Sequence, residues 1–124
     1  MEEYMKYLIL IYEAEEIWEN KTDDEKREEI AGHGALHAKM AMDGVEVSGE
    51  ALSPTSTAVS VRNRAGKIQI SDGPFAETKE QLGGFYLVDV ETMEQALEYA
   101  AMIPTADFGT VEVRPVGDHS DLGG

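Results

Sequence analysis

Two histidines four residues apart are the side chains of this sequence best suited to chemistry. His33 and His37 lie in a stretch predicted to be helical, where residues four apart share a face. At about 100° per residue they fall on the same side as Ile30 and Met40, so we expect both imidazoles to face the sheet. Because the unperturbed pKa of imidazole lies near neutrality, either ring could exchange a proton with a bound molecule.

The carboxylate predicted to partner a histidine is Asp72, in the turn Asp72-Gly73-Pro74. Proline bars the residue before it from the helical region, so this turn must end a strand abruptly. If the Asp72 carboxylate faces a cleft, it could orient an imidazole or take a proton from a substrate. Alternatively, it could accept backbone N–H bonds in an Asx turn. The sequence leaves both roles open.

Four further residues are predicted to contact a ligand: His37, Tyr7, Glu50 and Phe75. Tyr7 belongs to an apolar stretch and could line either a cleft or the core. Glu50 lies near the end of a predicted strand, where it could add an acid to the pocket or mark a bend. Phe75 follows the turn that contains Asp72.

The absence of several sequence motifs argues against particular kinds of site and reaction. There is no cysteine, which excludes thiolate metal sites and cysteine nucleophiles. The two helical histidines have the spacing of metal ligands, but no glutamate of an HExxH motif lies between them. There is also no P-loop, no dinucleotide fingerprint and no G-x-S-x-G elbow, which argues against kinase, dehydrogenase and hydrolase activities. We therefore expect neither a metal nor a cofactor.

Length and charge restrict the partners of the chain. Its 124 residues are enough for one domain with a single core. With 25 acidic and 10 basic residues, the net charge of −15 would repel nucleic acids and anionic membranes. The apolar run near the beginning has neither a basic flank nor a small-residue cleavage site, so a cytoplasmic location is expected.

Hydrophobic periodicity and turn signals predict an α+β fold. The predicted elements are a strand over 4–12, a helical turn within 13–20, a helix over 22–42, a strand over 45–50, a hairpin over 57–62 and 67–71, a strand over 84–90, a helix between Thr92 and Pro104, and a strand over 110–116. This order is that of a ferredoxin-like split βαβ fold with an inserted hairpin. Such a sheet has one uncovered face, and burying it against a second copy predicts a homodimer.

Several segments together resemble the YCII-related family, and within it the subgroup named for the DGPF motif. The segments that carry the resemblance are MKYLILIY, VSGEAL, TAVSVR, SDGPFAETKEQLGGFYLVDV, EQALEYAAMIP and VEVRPV. The resemblance implies a dimeric α/β barrel, in which two ferredoxin-like sheets pack face to face. One such domain is expected over residues 1–117, and the polar, glycine-rich composition of the end of the chain predicts a loose tail over 118–124.

The resemblance also implies a histidine and aspartate pair as the active site. His33 and Asp72 are the matching positions, and His37 could replace His33 because it lies one helical turn away. We therefore expect a small cofactor-free acid–base enzyme, of the lyase or isomerase type, that acts on a small metabolite. The alternative is a non-catalytic ligand-binding or regulatory dimer associated with an extracytoplasmic-function sigma factor system.

Overall fold

The structure, a computed structural model, describes residues 5–118. Its helices and strands, in chain order, are β1 (Met5–Glu13), α1 (Glu15–Glu19), α2 (Asp23–Asp43), β2 (Glu46–Ala51), β3 (Val59–Arg64), β4 (Lys67–Asp72), β5 (Gln81–Val90), α3 (Met93–Ala101) and β6 (Thr110–Pro115). Each predicted element is present, and 3-10 turns at Thr55–Thr57 and Pro104–Asp107 are additional. Of the predicted tail 118–124, only Asp118 belongs to the described residues, and Tyr4 also lies outside them.

Four strands form one antiparallel sheet in the spatial order β2-β5-β1-β6. Helix α2 connects β1 to β2, and β5 lies between these two strands, which is the split βαβ arrangement. The remaining strands, β3 and β4, pair with each other as a separate two-stranded hairpin. The predicted ferredoxin-like α+β fold with an inserted hairpin is therefore confirmed.

The two long helices begin and end where their sequence signals indicate. The Thr22 side chain accepts from the Glu25 backbone N–H, and the Glu25 carboxylate accepts in return from the Thr22 N–H. Thr92 and Gln95 make the same reciprocal pair at the start of α3. Gly44 ends α2 with φ of 70°, a left-handed conformation that glycine adopts without steric cost.

One face of the sheet packs against α2 and α3 to form the core. The buried apolar residues of this core are Tyr7, Ile9, Ile11, Leu36, Met40, Val88, Val90, Ala96, Ala100 and Ile103. Alternate residues of β1 belong to this set because successive side chains of a strand point to opposite faces. The helices and the core thus lie on the same side of the sheet.

Helix α2 is rotated relative to the orientation that its apolar residues predict. Ile30, which was expected to face the sheet, is 60% exposed, whereas Leu36 and Met40 are buried. The buried stripe also contains Glu29, and His33 is half-buried beside it. Hydropathy counts an acid as a solvent-facing residue, so the pattern placed the centre of the buried face too far toward Ile30.

Two glycines on α2 give a direct test of this orientation. A Cβ atom on Gly32 would lie 2.7 Å from Cγ of Pro104, whereas a Cβ on Gly34 would meet no atom within 4 Å. We expect Gly34→Ala to stabilise the fold by about 0.5 to 1 kcal/mol through helix propensity. Gly32→Ala should destabilise it by about 1 kcal/mol, because the clash exceeds the same gain. Chemical denaturation measures both changes, and equal stabilisation by the two variants would contradict the orientation.

The face of the sheet opposite the helices carries half-buried apolar side chains. Leu8 pairs with Leu87 and Leu10 with Phe85 in the register of β1 and β5. The hairpin adds four apolar residues that are 59 to 68% exposed, namely Val59, Val61, Ile68 and Ile70. In a single chain these surfaces are in contact with solvent, and the predicted homodimer stays a prediction.

Among residues 5–118, no helix combines the length and apolar composition needed to cross a membrane.

Candidate functional site

A cavity of about 690 Å³ lies between the middle of α2 and the sheet, and α1 borders it. Ile11, Trp18 and Leu82 contribute to its apolar wall. His33 and His37 of α2 line it together with Glu50 at the end of β2. The volume falls in the range of small-molecule sites, which typically combine an apolar wall with a few polar groups.

His33 lies on the wall of this cavity, half-buried, with its ring against Tyr86 of β5. The two ring centroids are 6.5 Å apart with an interplanar angle of 28°, and the His33 Nδ1 atom lies 3.3 Å from the Tyr86 hydroxyl oxygen. Burial lowers the pKa of His33 from 6.5, and the negative charge of Glu29 partly opposes this shift. The imidazole is therefore predominantly neutral at neutral pH.

Tyr86 supports either neutral tautomer of His33, because a hydroxyl both donates and accepts hydrogen bonds. Burial raises the pKa of Tyr86 from 10.0, and the charge of Glu46 adds to the shift, so the phenol keeps its proton. If Nδ1 of His33 donates to the Tyr86 oxygen, Nε2 is left as a base. If Nδ1 accepts from Tyr86 instead, Nε2 carries the proton.

Two glutamates that the sequence analysis did not select line the same cavity as His33. Glu29 is 7% exposed, and its Oε1 atom lies 3.4 Å from Nζ of Lys21, which makes an ion pair. Within the described residues, no group donates a hydrogen bond to this Oε1 atom. Glu13 also lines the cavity, and its buried Oε2 atom has no hydrogen-bond partner within residues 5–118. Burial raises the pKa of Glu13 from 4.5, the charge of Glu29 raises it further, and Lys21 lowers it.

Lys21 itself is held in place by a second contact. Its ammonium nitrogen lies 4.1 Å from the centroid of the Phe108 ring, and its side chain is only 16% exposed. This cation–π contact fixes a positive charge next to Glu29. Two features of the sequence could have identified these acids. Glu29 lies four residues before His33 on the same helix, and Glu13 lies at the end of an apolar strand.

The structure separates the predicted site residues into two groups. His33 and His37 line the cavity, and Glu50 borders it near the end of β2, although its pairing with Phe85 places its side chain on the face opposite the helices. His37 is more exposed than expected, since 59% of its side chain is accessible, and its Nδ1 atom lies 2.8 Å from a carboxylate oxygen of Glu46. Tyr7 is 4% exposed and belongs to the core rather than to the cavity wall.

Asp72 and Phe75 do not reach the cavity within one chain. Asp72 ends β4 opposite Val59, in the hairpin that is separate from the main sheet, and Phe75 is 80% exposed. Neither lines the cavity, so the His33 and Asp72 side chains that the sequence analysis paired do not meet in one subunit. The reason is the hairpin, whose strands pair only with each other and end at the exposed Asp72.

Hydrogen bonds of the Gly73 backbone, rather than the Asp72 carboxylate, hold the turn that follows. The Gly73 N–H donates to the Ala58 carbonyl at 2.6 Å, and the Ser60 hydroxyl donates to the Gly73 carbonyl at 2.9 Å. Gly73 has φ of 95°, which other residues rarely adopt. In the described part of the chain, no group of three or more histidine, aspartate or glutamate side chains is arranged to hold a metal ion.

Comparison with known proteins places the chain in a family. The family model described as YCII-related domain matches residues 5–120. A protein of Rhizobium meliloti (strain 1021), named as uncharacterised, is 36% identical over 117 residues, which cover 90% of this chain and 92% of the relative. Membership of the subgroup named for the DGPF motif stays a prediction. The family match and the similarity of this relative show that the chain belongs to the YCII-related family.

Proposed function

We propose that this protein is a small cofactor-free acid–base enzyme whose cavity takes a small metabolite and exchanges a proton with it through His33. The observation that carries the proposal is a half-buried imidazole on a cavity wall, with its Nδ1 atom 3.3 Å from the Tyr86 hydroxyl. Burial lowers the pKa of His33, which keeps the ring neutral and able to act as a base.

A second group is needed to return the proton in an isomerisation or to protonate a leaving group in an elimination. Glu13 is the group on the cavity wall suited to this task, because burial raises the pKa of its carboxyl. In this proposal, Glu13 and Tyr86 replace the Asp72 carboxylate that the sequence analysis assigned to the pair. His33 removes one proton from the substrate, and Glu13 supplies one at another atom. His33 then releases its proton to solvent and Glu13 takes one up, which restores both groups for the next cycle.

The directions of the two pKa shifts support this pairing. The catalytically active form needs a neutral His33 and a protonated Glu13. With the ordinary pKa values of 6.5 and 4.5, only a small fraction of molecules would have both groups in these states at the same time. A lowered pKa of His33 and a raised pKa of Glu13 both enlarge that fraction. The environment of the cavity thus moves each group toward the protonation state that its role requires.

The test of the function is proton exchange between solvent and substrate. Small carbonyl compounds with acidic C–H bonds would be incubated with the protein in D₂O, and loss of the C–H signal would be followed by NMR. Catalysed exchange of at least one compound is expected. Ligand binding without exchange for any compound would contradict the enzyme and favour the non-catalytic ligand-binding alternative.

The pH dependence of this exchange is a separate prediction. The rate should rise with pH as His33 loses its proton and fall again as Glu13 loses its own, which gives a bell-shaped profile. Because one pKa is lowered from 6.5 and the other is raised from 4.5, the maximum should lie between these two values. Initial rates across that interval measure the profile. A rate that continues to rise above pH 6.5 would contradict the assignment of Glu13 as the acid.

We further propose that the active form is a homodimer. Two apolar surfaces support the dimer. One is the open face of the sheet, with the half-buried Leu8, Leu10, Phe85 and Leu87, and the other is the set of exposed apolar residues of the hairpin. A two-stranded hairpin is marginally stable on its own, and a second subunit would cover its apolar side.

A further inference from the structure

Strand β2 contains an irregularity that changes which face its side chains occupy. Glu46 pairs with Val88 of β5. The register then shifts, and Ser48 pairs with Leu87. Because successive side chains of a strand alternate between faces, Glu46 without this shift would point to the same side as Ser48, away from the helices. The bulge thus directs the Glu46 side chain toward α2.

The Glu46 carboxylate holds the first of two imidazoles. Its Oε1 atom lies 2.8 Å from Nδ1 of His37, and its side chain is only 12% exposed. A negatively charged carboxylate only accepts hydrogen bonds, so Nδ1 of His37 must carry a proton. In the neutral ring, this leaves Nε2 without a proton. A carboxylate therefore orients the His37 imidazole in the way that keeps its far nitrogen available as a base.

Tyr86 contacts the second imidazole and lies near the same carboxylate. It is two residues from Val88 on β5, and diagonal neighbours across two strands are about 7 to 8 Å apart, within reach of long side chains. The Tyr86 ring also packs against β2, since a Cβ atom on Gly49 would lie 2.7 Å from its Cδ1 atom. In agreement with this placement, the charge of Glu46 contributes to the raised pKa of Tyr86.

The charge of Glu46 also orients the Tyr86 hydroxyl. A hydroxyl dipole near a negative charge turns its hydrogen atom toward that charge. The lone pairs of the oxygen are then left for His33, whose Nδ1 atom lies 3.3 Å away. Nδ1 of His33 is therefore the donor in this contact, and Nε2 is the nitrogen without a proton. Glu46 thus selects one of the two tautomers that Tyr86 alone would permit.

We propose that Glu46 is a positioning residue that places the proton of both His33 and His37 on Nδ1 and leaves both Nε2 atoms as bases. The inference rests on the proposed function and deepens it, because it names the atom of His33 that takes the proton from the substrate. In that step the new N–H bond forms at Nε2, and the electron pair of the broken C–H bond stays on the substrate. His37 presents an equivalent Nε2 atom one helical turn away on the same cavity wall.

The tautomers can be measured in the unmodified protein without any substrate. Nitrogen NMR of protein labelled with ¹⁵N at histidine distinguishes protonated from unprotonated ring nitrogens. The spectra would be recorded at about pH 8, where imidazoles are neutral. The chain has three histidines, and the spectra of His33→Gln and His37→Gln assign the signals. Both rings are expected mainly in the Nδ1-protonated form, and a mainly Nε2-protonated His33 would overturn the inference.

Three variants separate the two contacts of the carboxylate. Glu46→Gln removes the charge, and the ratio of the Nδ1-protonated to the Nε2-protonated form should fall by about fivefold in both rings, as expected for loss of one hydrogen bond. Tyr86→Phe should have this effect on His33 alone, because His37 keeps its contact with Glu46. His37→Gln should leave the tautomer of His33 unchanged, since Glu46 keeps its charge near Tyr86.

Glu28→Gln is the matched control, because it removes the same charge from an exposed position of α2 outside the cavity. It should leave both tautomers unchanged. A changed His33 tautomer in Glu28→Gln, or an unchanged one in both Glu46→Gln and Tyr86→Phe, would contradict the role of Glu46. Tyr86→Phe and the unmodified protein keep the test decisive if Glu46→Gln does not fold.

Failure of the proposed function would look different, because the tautomers are measured without substrate. If no compound is exchanged and the tautomers behave as expected, the positions of the protons stand and the enzyme does not. If exchange is catalysed, kcat of Glu46→Gln should fall in proportion to the Nδ1-protonated fraction of His33 that the spectra report, with KM unchanged. An unchanged kcat together with an altered His33 tautomer would overturn the assignment of Nε2 as the base.

Discussion

Replacing His33 by glutamine is expected to lower the rate of proton exchange by about 10²- to 10⁴-fold, the usual contribution of a positioned general base. Glutamine retains a side-chain amide near the Tyr86 hydroxyl, but it has no group that accepts a proton near neutral pH. Exchange would be measured by NMR in D₂O with a compound that the unmodified protein turns over. A loss of less than about threefold would show that His33 is not the base.

Two further variants locate the partner of His33. Tyr86→Phe removes the hydroxyl that lies 3.3 Å from the His33 Nδ1 atom and keeps the ring that stacks on the imidazole. It should lower the rate by about tenfold, because one neutral hydrogen bond that positions the imidazole is lost.

Asp72→Asn should leave the rate near that of the unmodified protein, since Asp72 lies outside the cavity of its own chain. If Asp72→Asn is as damaging as His33→Gln, the hairpin of a second subunit supplies the carboxylate.

The stability of His33→Gln checks that its effect is catalytic. A lowered pKa in the folded protein means that the unfolded chain binds more protons near pH 6, so His33 makes the fold less stable as pH falls below 6.5. The glutamine variant has no such titration, so its free energy of unfolding should fall less than that of the unmodified protein as pH drops below 6.5. Urea denaturation at the pH of the exchange assay shows whether the variant is folded, and a folded variant with a low exchange rate has lost catalysis rather than structure.

Most of the fold could be predicted from the sequence because its signals are local. The capping boxes at Thr22 and Thr92 define the helix starts through contacts within four residues. The hairpin turn was expected over 63–66, and Ala65 and Gly66 do have positive φ values of 52° and 78°. The start of β5 was placed three residues too late, at Gly84 instead of Gln81, because a register shift near Tyr12 keeps Gly83 in the strand.

The site was only partly predictable because it depends on contacts between distant segments. His33 was found from its position on a helix, and it does line the cavity. Glu13 and Glu29 were missed because an acid in a sequence pattern indicates solvent, and their burial follows from how α2 lies over the end of β1. The pairing with Asp72 required a hairpin orientation that no local signal specifies, and no residue of β3 or β4 lines the cavity of its own chain.

The rotation of α2, which positions His33 and Glu29 toward the cavity, can be measured with two methionines of that helix. Met40 is fully buried at 0% exposure, whereas Met42 is 88% exposed. Met40→Ala should lower the free energy of unfolding by about 2 to 5 kcal/mol, because it removes buried apolar volume and leaves a cavity in the core.

Met42→Ala makes the same chemical change two positions away and should shift the free energy of unfolding by less than about 0.5 kcal/mol. Both residues lie in the last turns of α2, so helix propensity affects the two variants equally and cancels in the comparison. Urea denaturation of the two variants gives the difference. Because residues 40 and 36 are one turn apart, and 33 and 29 continue the same stripe, the orientation of Met40 also determines that of His33 and Glu29. Similar losses in both variants would mean that α2 is rotated, and the imidazole would then leave the cavity wall on which the proposed chemistry depends.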